Sequence, residues 1–282
     1  VDSVGGSFET AGRHKITPPD PEVPQDTEAA AFFDVDNTLI QGSSLILLAQ
    51  GLFRKRFISL SELAPALWKQ FRYRVSGSEN AGDIAEGREQ ALAVVKGKSV
   101  AELKAACREI VDSRMLQKSY ADTIELASMH LAAGQQVWLV SATPVQIGQA
   151  LAETLGFTGA LGTVAEEDDG KFTGRLVGDI LHGPGKKHAV AALAALQQLD
   201  LSQCTAYSDS INDLPMLEMV GSPVAINPDR ALRKHAKAQG WEIRDYRSVR
   251  RVVRLSTLPV LGAAGAFSLW RLWSKRQVRT HH

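Results

Sequence analysis

Apolar residues recur in two rhythms along the 282-residue chain. Residues 29–35 form a short apolar run that ends among acids, the pattern of a strand buried on both faces of a parallel sheet. From Ser43 to about Gly134 the spacing changes to three and four residues, which predicts helices over 44–57, 61–75, 83–95, 100–111 and 120–133. Ser76-Gly77-Ser78 and Lys96-Gly97-Lys98 interrupt this block. Strands and helices then alternate. Strands are predicted at 136–141, 205–208 and 224–226, and helices at 145–155, 186–198, 213–219 and 230–239. Residues 163–165 and 172–176 flank Glu166-Glu167-Asp168-Asp169-Gly170 and predict a hairpin.

Such alternation implies an α/β fold, a Rossmann-like and mostly parallel sheet with helices on both faces. The helical block after the first strand implies an inserted α-helical cap domain. The expected division is a flexible leader over 1–27, a core from 28–42 and 135–246, a cap over 43–134, and a basic, apolar tail over 247–282. The leader is rich in Gly, Ser, Thr and Pro and lacks a basic-then-apolar signal. In the tail, residues 255–273 are apolar apart from Ser, Thr, Pro, Gly and Arg271, and basic residues flank them. A spanning helix needs about 20 apolar residues, and Pro259, Gly262 and Gly265 interrupt this stretch. Trp270 and Trp273 beside Arg and Lys suit a membrane interface, or a helix packed on the core.

Composition narrows the function classes. The net charge is +1, with acids and bases nearly balanced, which argues against nucleic acid as an electrostatic partner. Cys107 and Cys204 lie far apart and beside no His pair, so neither a disulfide framework nor a zinc site is expected. A reducing, cytoplasmic compartment follows, with the tail as the one candidate for membrane association on the cytoplasmic side.

In open α/β sheets ligands bind outside the carboxyl ends of the strands, and here the acids sit at those ends. Asp34 and Asp36 close the first strand, offering one carboxylate to attack and one to move protons. Asp209 and Asp213 follow a later strand. Such oxygen donors suit a hard cation such as Mg²⁺. The strand end Ser141-Ala142-Thr143 offers a hydroxyl and the backbone N–H groups of a helix start. Lys186, after Gly183-Pro184-Gly185, offers a fixed positive charge for phosphoryl oxygens. Each feature alone has a plainer explanation: a solvated turn, a helix cap, or acids at a helix N-terminus. Together they lie in one order on one predicted sheet edge.

With these motifs the chain resembles the haloacid dehalogenase superfamily, in its phosphoserine phosphatase-like branch (subfamily IB). The resemblance rests on Asp34-Val35-Asp36-Asn37-Thr38, the strand-end Ser141, Lys186, and Asp209 with Asp213. It implies a Mg²⁺-dependent phosphomonoester hydrolase with an aspartyl-phosphate intermediate, Asp34 as nucleophile and Asp36 as general acid/base. The metal would be held by Asp34, the Asp36 carbonyl and Asp209, supported by Asp213. Phosphate would be bound by Ser141, Ala142, Lys186 and Asn212, with Lys187 the rival of Lys186. The partner implied is a small phosphorylated substrate.

Three features depart from the family pattern. Ser208 and Ser210 stand where glycines are usual. Gly42-Ser43-Ser44 carries no acid for a substrate amino group, and Arg88 is the nearest cap arginine for a substrate carboxylate. Two alternatives stay open: a phosphatase for lipid-linked phosphates at a membrane surface, and a membrane protein that binds a phosphorylated metabolite without catalysis.

Overall fold

The structure is a computed structural model that describes residues 23–59, 92–178 and 180–247. Most of the predicted leader, the predicted helix at 61–75, most of that at 83–95 with Arg88, and the tail from 248 onward lie outside the described residues. The chain divides into two compact units, Val1–Ile243 and Arg244–His282. The account below concerns the first.

Among the described residues one sheet holds β1 (Ala30–Asp34), β2 (Gln136–Pro144), β3 (Gly159–Asp168), β4 (Lys171–Val177), β5 (Thr205–Ser208), β6 (Ser222–Ile226) and β7 (Glu242–Arg244). The order across it is β4-β3-β2-β1-β5-β6-β7. β1 pairs in parallel with β2 and β5, β2 with β3, and β5 with β6. Only the β3–β4 hairpin is recorded as antiparallel among these pairs. Its turn is Asp169-Gly170, both residues at positive φ (45° and 72°), the backbone a two-residue hairpin requires and one that Asp and Gly tolerate. The fold is thus the α/β class expected. The strands of the hairpin are longer than their own periodicity suggests, because Gly159–Leu161 of β3 is recruited by pairing with β2. β7 has three residues, too few to leave a readable pattern.

The chain builds outward from β1 to β2, β3 and β4, then returns to β5 on the other side of β1. The crevice beyond the carboxyl end of β1 is therefore the topological switch point, where such sheets bind ligands. Asp34 is the last residue of β1.

Every residue of β1 is buried. On one face Phe32 joins Trp138, Val140 and Leu161 in a core with Ala189, Val190 and Leu193 of helix α5 (Pro184–Gln197), Met216 and Leu217 of α6 (Leu214–Leu217), and Leu232 and Ala236 of α7 (Arg230–Gln239). On the other face Phe33 meets His130, in an edge-to-face contact, on α3 (Ala121–Ala132). Helix α4 (Val145–Leu155) packs on β2 and β3.

The described part of the segment between β1 and β2 carries helices and no named strand: α1 (Ser44–Arg54), α2 (Val100–Ile110) and α3. Gly51 lets α1 and α2 approach closely, since a Cβ there would lie 2.4 Å from the Ile110 side chain. α2 passes into a π-helical turn at Val111–Met115 and a 3₁₀ turn at Leu116–Lys118. The insert is tied to the β3–β4 hairpin by backbone bonds between Gly97 and Phe172 (2.7 Å) and between Val100 and Gly170 (2.9 Å). Among the described residues no helix is long and apolar enough to cross a membrane.

Candidate active site

The β1 chain leaves the sheet at Asp34 and turns at once. Leu39 and Ile40 return N–H bonds to the Val35 carbonyl, and Asn37 takes a left-handed φ of 55°. That turn separates the two acids: Asp34 stays buried at the strand end, and Asp36 is half-buried beyond it. The insert holds the turn from the other side. Tyr120 N–H donates to the Leu39 carbonyl (2.8 Å), and the Thr123 hydroxyl donates to the Thr38 carbonyl (2.9 Å). Ser44, opening α1, donates to Asp36 Oδ1 from both its backbone N–H (2.9 Å) and its hydroxyl.

Lys186 reaches the site from the first turn of α5. Gly183 turns the chain with φ 52°, Pro184 begins the helix where its missing N–H costs nothing, and Gly185 lies where a Cβ would meet the Ile180 carbonyl at 2.4 Å. Lys186 is buried, and its ammonium donates to Asp34 Oδ1 (2.5 Å) and Asp213 Oδ2 (2.7 Å). Lys187 is exposed on the next position of the helix. The Ser208 hydroxyl also donates to Asp213 Oδ2 (2.7 Å). Asp213 ends a 3₁₀ turn, Ile211–Asp213, which Ser210 caps by accepting from Asn212 N–H.

Electrostatics follow from this crowding. Burial, together with the charges of Asp213 and Asp209, pushes the Asp34 carboxyl up to about 8, with Lys186 pulling the other way. For Lys186, burial works toward deprotonation, and the charges of Asp34 and Asp213 outweigh it, so the ammonium is held firmly protonated. Two buried carboxylates sharing one buried cation form the electrostatic centre of the site.

Ser141 is buried on β2, its oxygen 2.8 Å from Thr143 Oγ1 and accepting from Thr143 N–H. Helix α4 begins at Val145, the position the sequence pattern gives it, while β2 runs three residues further than its pattern, to Pro144. Pro144 holds the residue before it extended and cannot donate. Ala142 is exposed on the strand end, and Asn212 is exposed on its turn. Asp209 is half-buried, and its carbonyl accepts from Asp229 N–H (2.7 Å).

The structure thus joins Asp34, Lys186 and Asp213 by direct bonds and sets Asp36, Asp209 and Ser141 on the neighbouring strand ends. It also gives roles to residues for which the sequence patterns offered none. Ser44 holds Asp36, Ser208 holds Asp213, Thr143 holds Ser141, and Asn227 with Asp229 ties the loops together. Of these only Asp229 carried a local signal, as an Asp directly before a helical run. Thr38 Oγ1 and Gln146 Oε1 are buried without a hydrogen-bond partner among the described residues.

A buried acid–lysine–acid cluster at the switch point of a mostly parallel sheet is the arrangement of an α/β enzyme. The family model for haloacid dehalogenase-like hydrolases matches residues 31–218, and the chain belongs to that family. The chain is 53% identical over 232 residues to phosphoserine phosphatase SerB1 of Mycobacterium tuberculosis, covering 82% of this chain and 75% of that protein. It is 31% identical to the histidinol-phosphatase of Neisseria meningitidis, covering 77% of this chain and 98% of that one. Among solved structures, a protein of unknown function from Bordetella pertussis matches with a TM-score of 0.68 at 30% identity, covering 77% of this chain and 98% of that chain.

Proposed function

We propose that this phosphatase hydrolyses a small phosphomonoester in two steps through Asp34. The Asp34 carboxylate attacks phosphorus in line with the ester oxygen, forming an acyl phosphate, while the ester P–O bond breaks. Asp36 donates the proton that the leaving alkoxide takes up. It then removes a proton from the water that attacks the phosphoaspartate, which returns Asp34 as carboxylate and releases inorganic phosphate. Lys186 stays charged throughout and neutralises phosphoryl oxygens beside Asp34, while Ser141, the Ala142 N–H and Asn212 supply further donors. The observation that carries this reading is the buried Lys186 ammonium bonded to both Asp34 and Asp213 at the switch point of the sheet.

The donor set fits Mg²⁺. Asp34, the Asp36 carbonyl and Asp209 are oxygen ligands of the type a hard cation prefers, and Asp213 lies beside them to support the set. Burial first, and then the charges of Asp213 and Asp209, push the Asp34 carboxyl up against the pull of Lys186, and a cation there would offset that push. Among the described residues no group of three or more His, Cys, Asp or Glu side chains is gathered as a ready-made cluster. The implied set needs none, since two carboxylates, one carbonyl and waters complete it. When bound, the cation would neutralise charge on the phosphoryl group.

The relatives' names point to phosphoserine and histidinol phosphate, both phosphomonoesters. α1 has no acid in its first turn to meet a substrate amino group, so recognition of the leaving alcohol rests on other residues. Two measurements test the proposal. Asp34→Asn should abolish phosphate release from p-nitrophenyl phosphate while circular dichroism stays unchanged, and a folded Asp34→Asn protein with near-parent turnover would overturn it. A screen of amino-acid, sugar, nucleotide and lipid phosphates then identifies the substrate.

A further inference from the structure

Three loops meet at the carboxyl edge of the sheet beside β1, and the third carries none of the acids assigned above. It is Asn227-Pro228-Asp229, between β6 and α7. Asn227 is 1% exposed and sits at φ 47°, a left-handed conformation that Asn tolerates better than most residues. Its amide Nδ2 donates to the carbonyl of Asn37 (3.0 Å), in the turn that carries Asp36 and 190 residues away in sequence. Two positions on, Asp229 N–H donates to the Asp209 carbonyl (2.7 Å), and Asp229 Oδ2 accepts from Ile211 N–H (2.9 Å). Its other oxygen caps α7 by accepting from Leu232 N–H (2.7 Å).

The helix cap needs only one oxygen of Asp229. The remaining bonds of this loop run to backbone atoms of the two acid-bearing loops, one bond to the Asp36 turn and two to the Asp209 turn. Pro228, with its fixed φ, stiffens the link between the two anchors. The loops of Asp36 and Asp209 are therefore each tied to one short rigid segment. A buried side-chain amide is retained only where its hydrogen bonds are made, so the Asn227 bond resists loosening.

We infer that Asn227 and Asp229 are positioning residues, which hold the Asp36 and Asp209 loops at a fixed separation and so set the carboxylates for cation and phosphoryl group alike. This rests on the function proposed above. Groups that orient the ligands of a metal act on its affinity without touching it.

The test compares the metal-free parent with Asn227→Gly, which keeps the left-handed backbone and removes the amide. Mg²⁺ binding is read by titration calorimetry, and kcat and KM are read with p-nitrophenyl phosphate at saturating Mg²⁺. Removal of an outer-shell partner weakens metal binding by about tenfold or more. The expected result is that loss in Mg²⁺ affinity and a drop in kcat, with KM within about twofold and the metal-free protein still melting cooperatively, at a somewhat lower temperature. Asp229→Ser keeps the cap of α7, gives up the bond to Ile211, and should behave alike. It also decides the matter if Asn227→Gly fails to fold. Parent-like Mg²⁺ affinity in a folded variant overturns the inference, including the case where kcat falls only with the folded fraction. A parent that binds Mg²⁺ but releases no phosphate would instead overturn the function, while the calorimetric comparison would still decide the positioning role.

Discussion

Lys186 is held in place by the acids it neutralises. Its ammonium is buried and hydrogen-bonded to Asp34 and Asp213. Replacing it with Met leaves two buried carboxylates facing each other, and breaking a buried pair from one side costs about 3–5 kcal/mol. Lys186→Met should lower the urea midpoint by an amount consistent with that loss. It should also reduce kcat by roughly 10²–10³, the scale for removing one preorganised donor, as read by phosphate release. Ser208 is a subtler case. Its hydroxyl donates to the same Asp213 oxygen that Lys186 meets. A hydrogen bond to a charged group contributes about 1.5–3 kcal/mol. If Asp213 drifts without it, Ser208→Ala should lower kcat by roughly tenfold or more, while Ser208→Thr, which keeps the hydroxyl, should retain more activity.

At the scale of elements, α5 matters for where it begins. Gly183, Pro184 and Gly185 set that start, and the start sets which face Lys186 occupies. A Cβ at Gly185 would lie 2.4 Å from the Ile180 carbonyl, and backbone atoms do not yield as side chains do. Gly185→Ala should destabilise the protein by roughly 1–3 kcal/mol, the usual range for overpacking, as measured by urea denaturation. Turnover should fall as well, because the helix start that delivers Lys186 must shift. The motif admits Lys186 and Lys187 alike, and the same reasoning, the position at the helix start, favours Lys186. Helix phase puts one into the crevice and the other into solvent. α3 shows a second effect at this scale. It belongs to the helical insert by sequence, yet it packs on β1 and β2 and braces the Asp36 turn through Tyr120 and Thr123.

For the whole molecule, one half-buried and one buried group tilt stability with pH in opposite directions. The Gln135 amide donates to Asp26 Oδ2 (3.0 Å) and presents its oxygen to His130 Nδ1 (2.6 Å). His130 Nδ1 therefore donates, and Nε2 accepts from the Tyr207 hydroxyl (2.7 Å), whose ring stacks on Phe33. Burial lowers the His130 pKa, against the bond to Gln135. Below the ordinary histidine value of 6.5 the unfolded chain takes a proton that folded His130 resists, so stability is lost as pH falls from there. Thermal melts between pH 7.5 and 5 should show that loss, and His130→Gln should reduce it.

Asp34 has the reverse sign. Its unfolded value is 3.8 and its folded value about 8, so between them the folded form holds the extra proton and metal-free stability falls as pH rises. Mg²⁺ offsets the charge that accumulates. Adding it should raise the melting temperature more at pH 8 than at pH 5, and chelation should reverse the gain. Asp34→Asn should remove most of this difference.

Sequence alone determined what depends on neighbours a few residues apart. Apolar rhythm located most of the described strands and helices, though not β7, and the strand ends pointed to Asp34, Asp36, Ser141, Asp209 and Asp213. A residue's side of a strand or helix is a local property, so a crevice lined with acids was already written in the order of the motifs. Tertiary structure decided what depends on packing between distant segments. It set the start of α5 that buries Lys186, the continuation of β2 to Pro144, and the bonds of Ser44 and Ser208 to their acids. It also joined Asn227 to Asn37 across 190 residues. Hydrogen bonds between loops follow from the register in which strands and helices dock, and no periodicity within either loop records that register.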